Sequence, residues 1–165
     1  MSVRPIVAWP DARLSEVCTP VEDLTDIADL VRDMFDTMYD APGRGLAAPQ
    51  IGVMLRVFVM DPTWKEGDST PFVCINPEIL ASGDATAAGT EACLSILGVS
   101  ADVTRPTDIT LGYTDLDGVR HETRLSGFAA SCAQHELEHL NGVVIFDRVT
   151  PEMRAQIEAD YAALA

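Results

Sequence analysis

The sequence predicts an α+β fold in which antiparallel β-sheets pack around a central helix, with an N-terminal helix and a short C-terminal helix. Apolar residues recur at helical spacing over 25–39, and a second helix is predicted over about 128–140. Between them, strand-like runs over 107–114 and 119–125 flank Asp117-Gly118, a strong hairpin signal. Because strands and helices come in blocks rather than in alternation, antiparallel pairing is favoured over a parallel sheet.

Helix ends are indicated by capping residues. Thr25 is a suitable N-cap for the first helix, which Ala41-Pro42-Gly43 should stop. Ser126 should cap the central helix, and Asn141-Gly142 should end it. Thr150-Pro151 should open the last helix, with threonine as N-cap and proline at the first position.

The segments between the first two helices predict short strands and loops. Strands are expected over 55–60 and over 72–75, each closed by a turn that contains proline. The polar segment 63–71 indicates a loop, and the segment 81–90, rich in small residues, indicates an irregular or edge segment. Residues 97–100 are also expected to form a loop.

Length and charge limit the classes of protein that fit. A chain of 165 residues predicts one domain over 1–165. The net charge of −15 argues against binding nucleic acid or an anionic membrane. No apolar run approaches the roughly 18 residues that span a bilayer, and the first residues lack the apolar stretch of a signal peptide. We therefore expect a cytoplasmic monomer with reduced cysteines.

The strongest chemical signal is Gln-His-Glu-Leu-Glu-His at 134–139. His135 and His139 are four residues apart, so on a helix they lie on one face and can bind one metal ion. Glu136 can then reach a water on that metal as general base. The alternative is a solvated helix face that happens to contain two histidines. The apolar neighbours favour a buried helix, in which imidazoles need partners.

A catalytic metal site needs a third protein ligand and an open position for water. In one class of zinc protease this ligand is a histidine six residues after the second histidine, but Ile145 stands there. In another class it is a glutamate about twenty residues downstream, and Glu158 lies near that distance without the usual polar neighbours. An endoprotease is therefore weakly supported, and Cys93 is an upstream candidate.

Three segments in order carry a resemblance to a known family. They are the glycine-rich segment 43–50 (Gly-Arg-Gly-Leu-Ala-Ala-Pro-Gln), the segment 91–95 (Glu-Ala-Cys-Leu-Ser) and the segment 134–139. The chain resembles the peptide deformylases, whose motifs are G-x-G-x-A-A-x-Q, E-G-C-L-S and Q-H-E-x-D-H. The resemblance runs from about residue 5 to residue 150.

The resemblance implies a site and an activity. Cys93, His135 and His139 would hold one divalent metal ion, Fe²⁺ or Zn²⁺, with Ni²⁺ and Co²⁺ as further candidates. Glu136 would move the proton, while the Gln50 amide and the Leu94 backbone N–H would stabilise the oxyanion. The substrate would be a formylated peptide or the N-terminus of a nascent chain. The implied substrate-binding residues are Gly43, Arg44, Gly45, Gly89, Ala92, Phe128 and Ser131.

Several positions depart from the family's pattern. Ala92 replaces a glycine, and Glu138 replaces an aspartate and is a candidate partner for Arg105. Arg44 and Ser131 stand where apolar residues are usual, which predicts a more polar pocket for the side chain of the substrate. Alternatively, Arg44 points to solvent or to a surface carboxylate.

Three hypotheses therefore follow from the sequence. The chain removes the formyl group from formyl-methionyl peptides, or it hydrolyses a different formylated substrate, or it is a metal-binding relative with weakened catalysis. The first two differ in the substrate that is turned over, and the third differs in turnover itself.

Overall fold

The computed structural model describes residues 2–164, in which three α-helices and seven β-strands form. The helices are α1 Ile27–Asp40, α2 Gly127–Leu140 and α3 Pro151–Ala162. The strands are β1 Gly45–Ala47, β2 Val57–Met60, β3 Phe72–Ser82, β4 Thr86–Cys93, β5 Ile96–Pro106, β6 Asp108–Thr114 and β7 Arg120–Ser126. Within this part of the chain, no helix has both the length and the apolar character that a membrane span needs.

The strands form two antiparallel sheets. One sheet has five strands in the order β1-β2-β3-β6-β7, and the other consists of β4 and β5. Every strand pair in both sheets is antiparallel, which confirms the predicted α+β class.

Strand β2 explains how α1 and α2 cover the larger sheet. All four of its residues are buried, and successive side chains point to opposite faces. Val57 and Val59 pack in the core that includes α1, whereas Phe58 and Met60 pack in the core that includes α2. The two helices therefore lie on opposite faces of the sheet, and a third core joins β5 to α3.

The predicted caps agree with the structure in part. The hydroxyl of Thr150 accepts a hydrogen bond from the Met153 N–H at 3.2 Å, which confirms the start of the last helix. Ser126 occupies the N-cap of α2, but its side chain makes no capping hydrogen bond. The prediction of Thr25 as N-cap was wrong, because Asp26 holds that position in a left-handed conformation with φ of 70°.

Two strand predictions also require correction. The predicted strand over 72–75 continues to Ser82, because Asn76 adopts φ of 48° and bonds the backbone of Val21 through its amide while the strand bulges. The segment 97–100 is not a loop but part of β5. By contrast, β6 and β7 pair across Asp117-Gly118 as predicted, with Gly118 at φ of 81°.

Candidate active site

Helix α2 and the end of β4 bring a cysteine and two histidines together. His135 and His139 lie one turn apart on α2, with their ring centroids 5.0 Å from each other. A register shift between Ala92 and Cys93 ends β4 just where the cysteine turns inward. One donor atom from each of the three residues lies within 4.8 Å of the others, and the Cys93 Sγ is 3.3 Å from the His139 Nε2.

The donors and their orientation fit a divalent metal ion. The His135 Nδ1 donates to the Glu91 carboxylate at 3.0 Å, which leaves Nε2 of that ring for the metal. Burial, together with the nearby charge of Arg105, holds the pKa of His139 well below its usual range, so this imidazole is neutral and can offer a lone pair. One thiol and two imidazoles are ligands that suit Zn²⁺, Fe²⁺ and related ions.

A chain of ion pairs fixes the Glu91 carboxylate behind His135. Arg105 is only 2% exposed and contacts Glu91 at 2.6 Å and Glu138 at 2.8 Å. Arg148, nearer the surface, pairs with the same Glu138. Burial alone would raise the pKa of Glu91, but its bonds to His135 and Arg105 lower that pKa to about 2. The predicted contact between Glu138 and Arg105 is thus confirmed.

Replacing Arg105 with methionine should destabilise the fold by about 3–5 kcal/mol, because two largely buried carboxylates lose their shared cation. Urea unfolding measures the change. Arg148→Met is the matched control, since it removes the 46% exposed partner of the same Glu138 and should cost no more than about 1 kcal/mol. Equal losses in the two variants would contradict a structural role for the buried charge.

Glu136 lies beside the cysteine and histidines in an unusual environment. It is 5% exposed, and its Oε1 atom is buried without a hydrogen-bond partner within residues 2–164. A Cβ atom added to Gly45 would come within 2.6 Å of its Oε2, so glycine there leaves room for the carboxylate. Burial raises the pKa of Glu136 to about 7, which suits a group that takes up and releases a proton near neutral pH.

A cavity of about 320 Å³ opens beside these residues. Cys93, His135 and Glu136 line it, and so do Gln50 and Leu94. The Gln50 side chain is held in place because its Oε1 accepts from the Ala47 N–H at 3.0 Å and its Nε2 donates to the Ser95 hydroxyl at 3.1 Å. The amide nitrogen also lies 3.6 Å from the Cys93 Sγ. Five of the six residues predicted to act in the reaction or to bind metal thus line the cavity. The sixth, His139, does not line it but lies in the cluster with Cys93 and His135.

Six of the seven residues predicted to bind substrate line the same cavity. They are Gly43, Arg44, Gly45, Ala92, Phe128 and Ser131. Gly89 does not line it, and that placement requires correction. Gly89 lies on the exposed part of β4 opposite Val103, and an added Cβ would meet no atom within 4 Å.

Arg44 lines the cavity and is also paired with a carboxylate. Its guanidinium donates two hydrogen bonds to Glu66, at 2.8 and 2.9 Å, and a third to the Pro62 carbonyl. Its charged carbon lies 5.2 Å from the centroid of the Phe128 ring. The contact with a surface carboxylate, the second alternative for Arg44, is therefore confirmed, while the residue also lines the cavity.

The loop 63–71 contributes residues that the sequence gave no reason to select. Lys65 lines the cavity, and the Trp64 indole N–H donates to the Gly43 carbonyl at 2.9 Å. Only their partners distant in sequence identify these two residues, because the polar composition of the loop predicts exposure and not the residues that it contacts. Ser95, which holds Gln50, lies instead in the motif segment 91–95, where the sequence indicated no role for it.

Comparisons with known proteins agree on one family. The family model described as "Polypeptide deformylase" matches residues 3–155. The peptide deformylase of Afipia carboxidovorans is 44% identical, over all of this chain and 97% of the relative. The crystal structure of a peptide deformylase from Legionella pneumophila superposes with a TM-score of 0.92 at 38% identity, covering 99% of this chain and 95% of the other. A deformylase from Ehrlichia chaffeensis in complex with actinonin gives 0.90 at 38% identity, covering 97% and 96%.

Proposed function

The chain belongs to the peptide deformylase family, metal-dependent hydrolases that remove the N-formyl group from nascent peptides, and we propose that Cys93, His135 and His139 hold its metal. The observation that carries this proposal is the position of Glu136, whose buried carboxylate stands beside the three donors at the wall of the cavity. We propose Fe²⁺ or Zn²⁺ as the ion, with Ni²⁺ and Co²⁺ as further candidates.

A divalent ion bound there would polarise the formyl carbonyl and make a nearby water more acidic. Glu136 takes a proton from the attacking water and later gives it to the leaving nitrogen. A pKa of about 7 suits both steps, because neither protonation state is strongly disfavoured at neutral pH. The absence of a side chain at Gly45 leaves room for the carboxylate in this position.

Two donors would stabilise the charge that develops on the formyl oxygen. The Gln50 amide nitrogen lies at the cavity wall, and its contacts with Ala47 and Ser95 hold it in one orientation before substrate binds. The Leu94 backbone N–H, next to the ligand Cys93, is the second donor that the resemblance implies. Removing one such preorganised donor typically lowers kcat by about 10²–10³-fold.

The substrate we propose is a formyl-methionyl peptide or the N-terminus of a nascent chain. Gly43 and Gly45 let the peptide backbone approach the site closely, while Phe128, Ser131 and Ala92 border the first side chain. We propose that the protein acts in the cytoplasm as a monomer. Its net charge of −15 opposes direct binding to nucleic acid or to an anionic membrane. The domain is proposed to comprise residues 1–165.

The purified metal-loaded protein should release formate from formyl-Met-Ala-Ser, with kcat/KM on the order of 10⁴ M⁻¹s⁻¹ or more, as for an ordinary enzyme on its own substrate. Appearance of the free amino group measures the reaction, and acetyl-Met-Ala-Ser serves as the matched control. Turnover of another formylated amine but not of this peptide would point to a different substrate. Absence of turnover on every formylated compound would indicate a relative with weakened catalysis.

A further inference from the structure

The cavity extends along one face of α2, away from the metal-binding residues. Phe128, Ser131 and His135 are spaced by three and four residues, so their side chains follow one another along the helix. Phe128 lies seven residues before His135, which is about 10 Å along the helix axis. The Arg44 guanidinium lies 5.2 Å from the centroid of the Phe128 ring and therefore stands at the Phe128 end of this row, which we call the far end of the cavity.

Arg44 would make that end strongly positive if it had no partner. Instead, two parallel hydrogen bonds join its guanidinium to the Glu66 carboxylate, and the Pro62 carbonyl takes a third. The bond to Arg44 lowers the pKa of Glu66, so the carboxylate is ionised at neutral pH and cancels the charge of the arginine. A substrate side chain that reaches this end of the cavity therefore meets a neutral ion pair and an aromatic ring.

We propose that Glu66 is a specificity-determining residue: by neutralising Arg44 it reserves the far end of the cavity for an uncharged first side chain, and without it the cavity accepts an acidic one. This inference rests on the proposed deformylase function and on the placement of the first side chain along α2. It predicts that formyl-methionyl peptides fit the protein despite its arginine. It also identifies a single carboxylate, outside the cavity wall, that sets the charge selectivity.

Lys65 is the other cation at the cavity and has to be distinguished from Arg44. It is the only lysine of the chain and lies next to Glu66 in sequence. Its side chain is exposed, and its ammonium lies 5.7 Å from the centre of the Trp64 ring, so water screens its charge. Arg44 is 26% exposed, so water screens its charge less than that of Lys65.

The test is the substitution Glu66→Gln, which removes the charge but keeps a carbonyl oxygen to hold Arg44. Formyl-Glu-Ala-Ser and formyl-Gln-Ala-Ser are the paired substrates, because their first side chains have the same shape and differ in charge. The kcat/KM for formyl-Glu-Ala-Ser divided by that for formyl-Gln-Ala-Ser should rise by about 10-fold or more in the variant. This is the scale expected when a partly screened cation meets a carboxylate. The rise should shrink in 0.5 M salt, since salt screens exposed charges.

Two further variants separate this effect from a general change in charge. Glu78→Gln is the matched control, because Glu78 is 62% exposed and pairs with Arg120 at 2.7 Å, while Glu66 is 58% exposed and pairs with Arg44 at 2.8 Å. Glu78 does not line the cavity, so its loss should leave the ratio unchanged. The double variant Arg44→Met/Glu66→Gln should return the ratio to the wild-type value even though Lys65 remains.

An unchanged ratio in Glu66→Gln overturns the proposal, and so does a wild-type protein that already prefers formyl-Glu to formyl-Gln. A raised ratio that persists in the double variant also overturns it, because Lys65 rather than Arg44 would then be responsible. Calorimetric binding of the same two peptides, measured in a Glu136→Gln background with and without Glu66→Gln, gives the ratio without turnover. Failure of the deformylase chemistry is thereby distinguished from failure of this inference.

Discussion

Replacing Glu136 with glutamine is expected to lower kcat by at least about 10²-fold while the metal stays bound. Glutamine has nearly the same shape as glutamate, but it cannot take a proton from water and give it to the leaving nitrogen. Glu136 does not belong to the cluster of Cys93, His135 and His139, so metal binding does not depend on it. Steady-state kinetics on formyl-Met-Ala-Ser and metal analysis of the same sample check both parts.

The stability of the Glu136→Gln variant separates catalysis from structure. The Glu136 carboxylate is buried, and its Oε1 has no hydrogen-bond partner in residues 2–164, so its charge does not stabilise the fold. Thermal unfolding of the metal-free variant should therefore occur at the same temperature as in the wild type, or higher. If the variant unfolds at a lower temperature and loses activity in proportion, the role of Glu136 is structural. If the variant keeps wild-type turnover, the proposed role of Glu136 in proton transfer is wrong.

The parts of the fold and site that the sequence predicted well depend on local patterns. The α2 residues His135, Glu136 and His139 are close in sequence, so helical geometry alone puts them on neighbouring positions. The hairpin at Asp117-Gly118 likewise depends on a turn of four residues, which only a few residue types allow. Cys93 was identified differently, by resemblance, since no spacing rule joins a residue in β4 to α2.

The parts that were missed depend on contacts between distant segments. Strand β5 was overlooked at 97–100 because this part of the strand does not alternate between buried and exposed residues. Further along the strand, an inward position is occupied by Arg105, whose charge disguises the alternation. A buried arginine is stable there only because Glu91 and Glu138 pair with it, and no sequence pattern predicts these two contacts. The continuation of β3 past Asn76 depends in the same way on the Val21 backbone, 55 residues away.

The contacts of Arg44 at the cavity also could not be predicted from the sequence. From the sequence alone, Arg44 could equally face the substrate or a surface carboxylate, and the two readings predict opposite substrate preferences. In the structure Arg44 lines the cavity and also pairs with a carboxylate, because the loop 63–71 places Glu66 against it. The polar composition of that loop predicts its exposure but not which residue of the site it touches.

Replacing Cys93 with alanine should remove the metal and, with it, at least about 10³-fold of the activity, since the site then has two imidazoles and no third protein ligand. The Cys93 Sγ lies 3.3 Å from the His139 Nε2, within the cluster of possible ligands, and alanine supplies no donor in its place. Metal analysis after dialysis should give about one ion per chain for the wild type and much less for the variant, by the logic of a site with three protein ligands.

Cys132→Ala is the matched control for this substitution. Cys132 is 8% exposed and Cys93 is 5% exposed, and both line the same cavity. The Cys132 Sγ, however, points to the Arg44 carbonyl at 3.8 Å and does not belong to the cluster of possible ligands. Its loss should leave the metal content near one ion per chain, as three ligands remain. If Cys93→Ala retained full metal while Cys132→Ala lost it, Cys132 of α2 would be the third ligand. That outcome would contradict the proposed metal site.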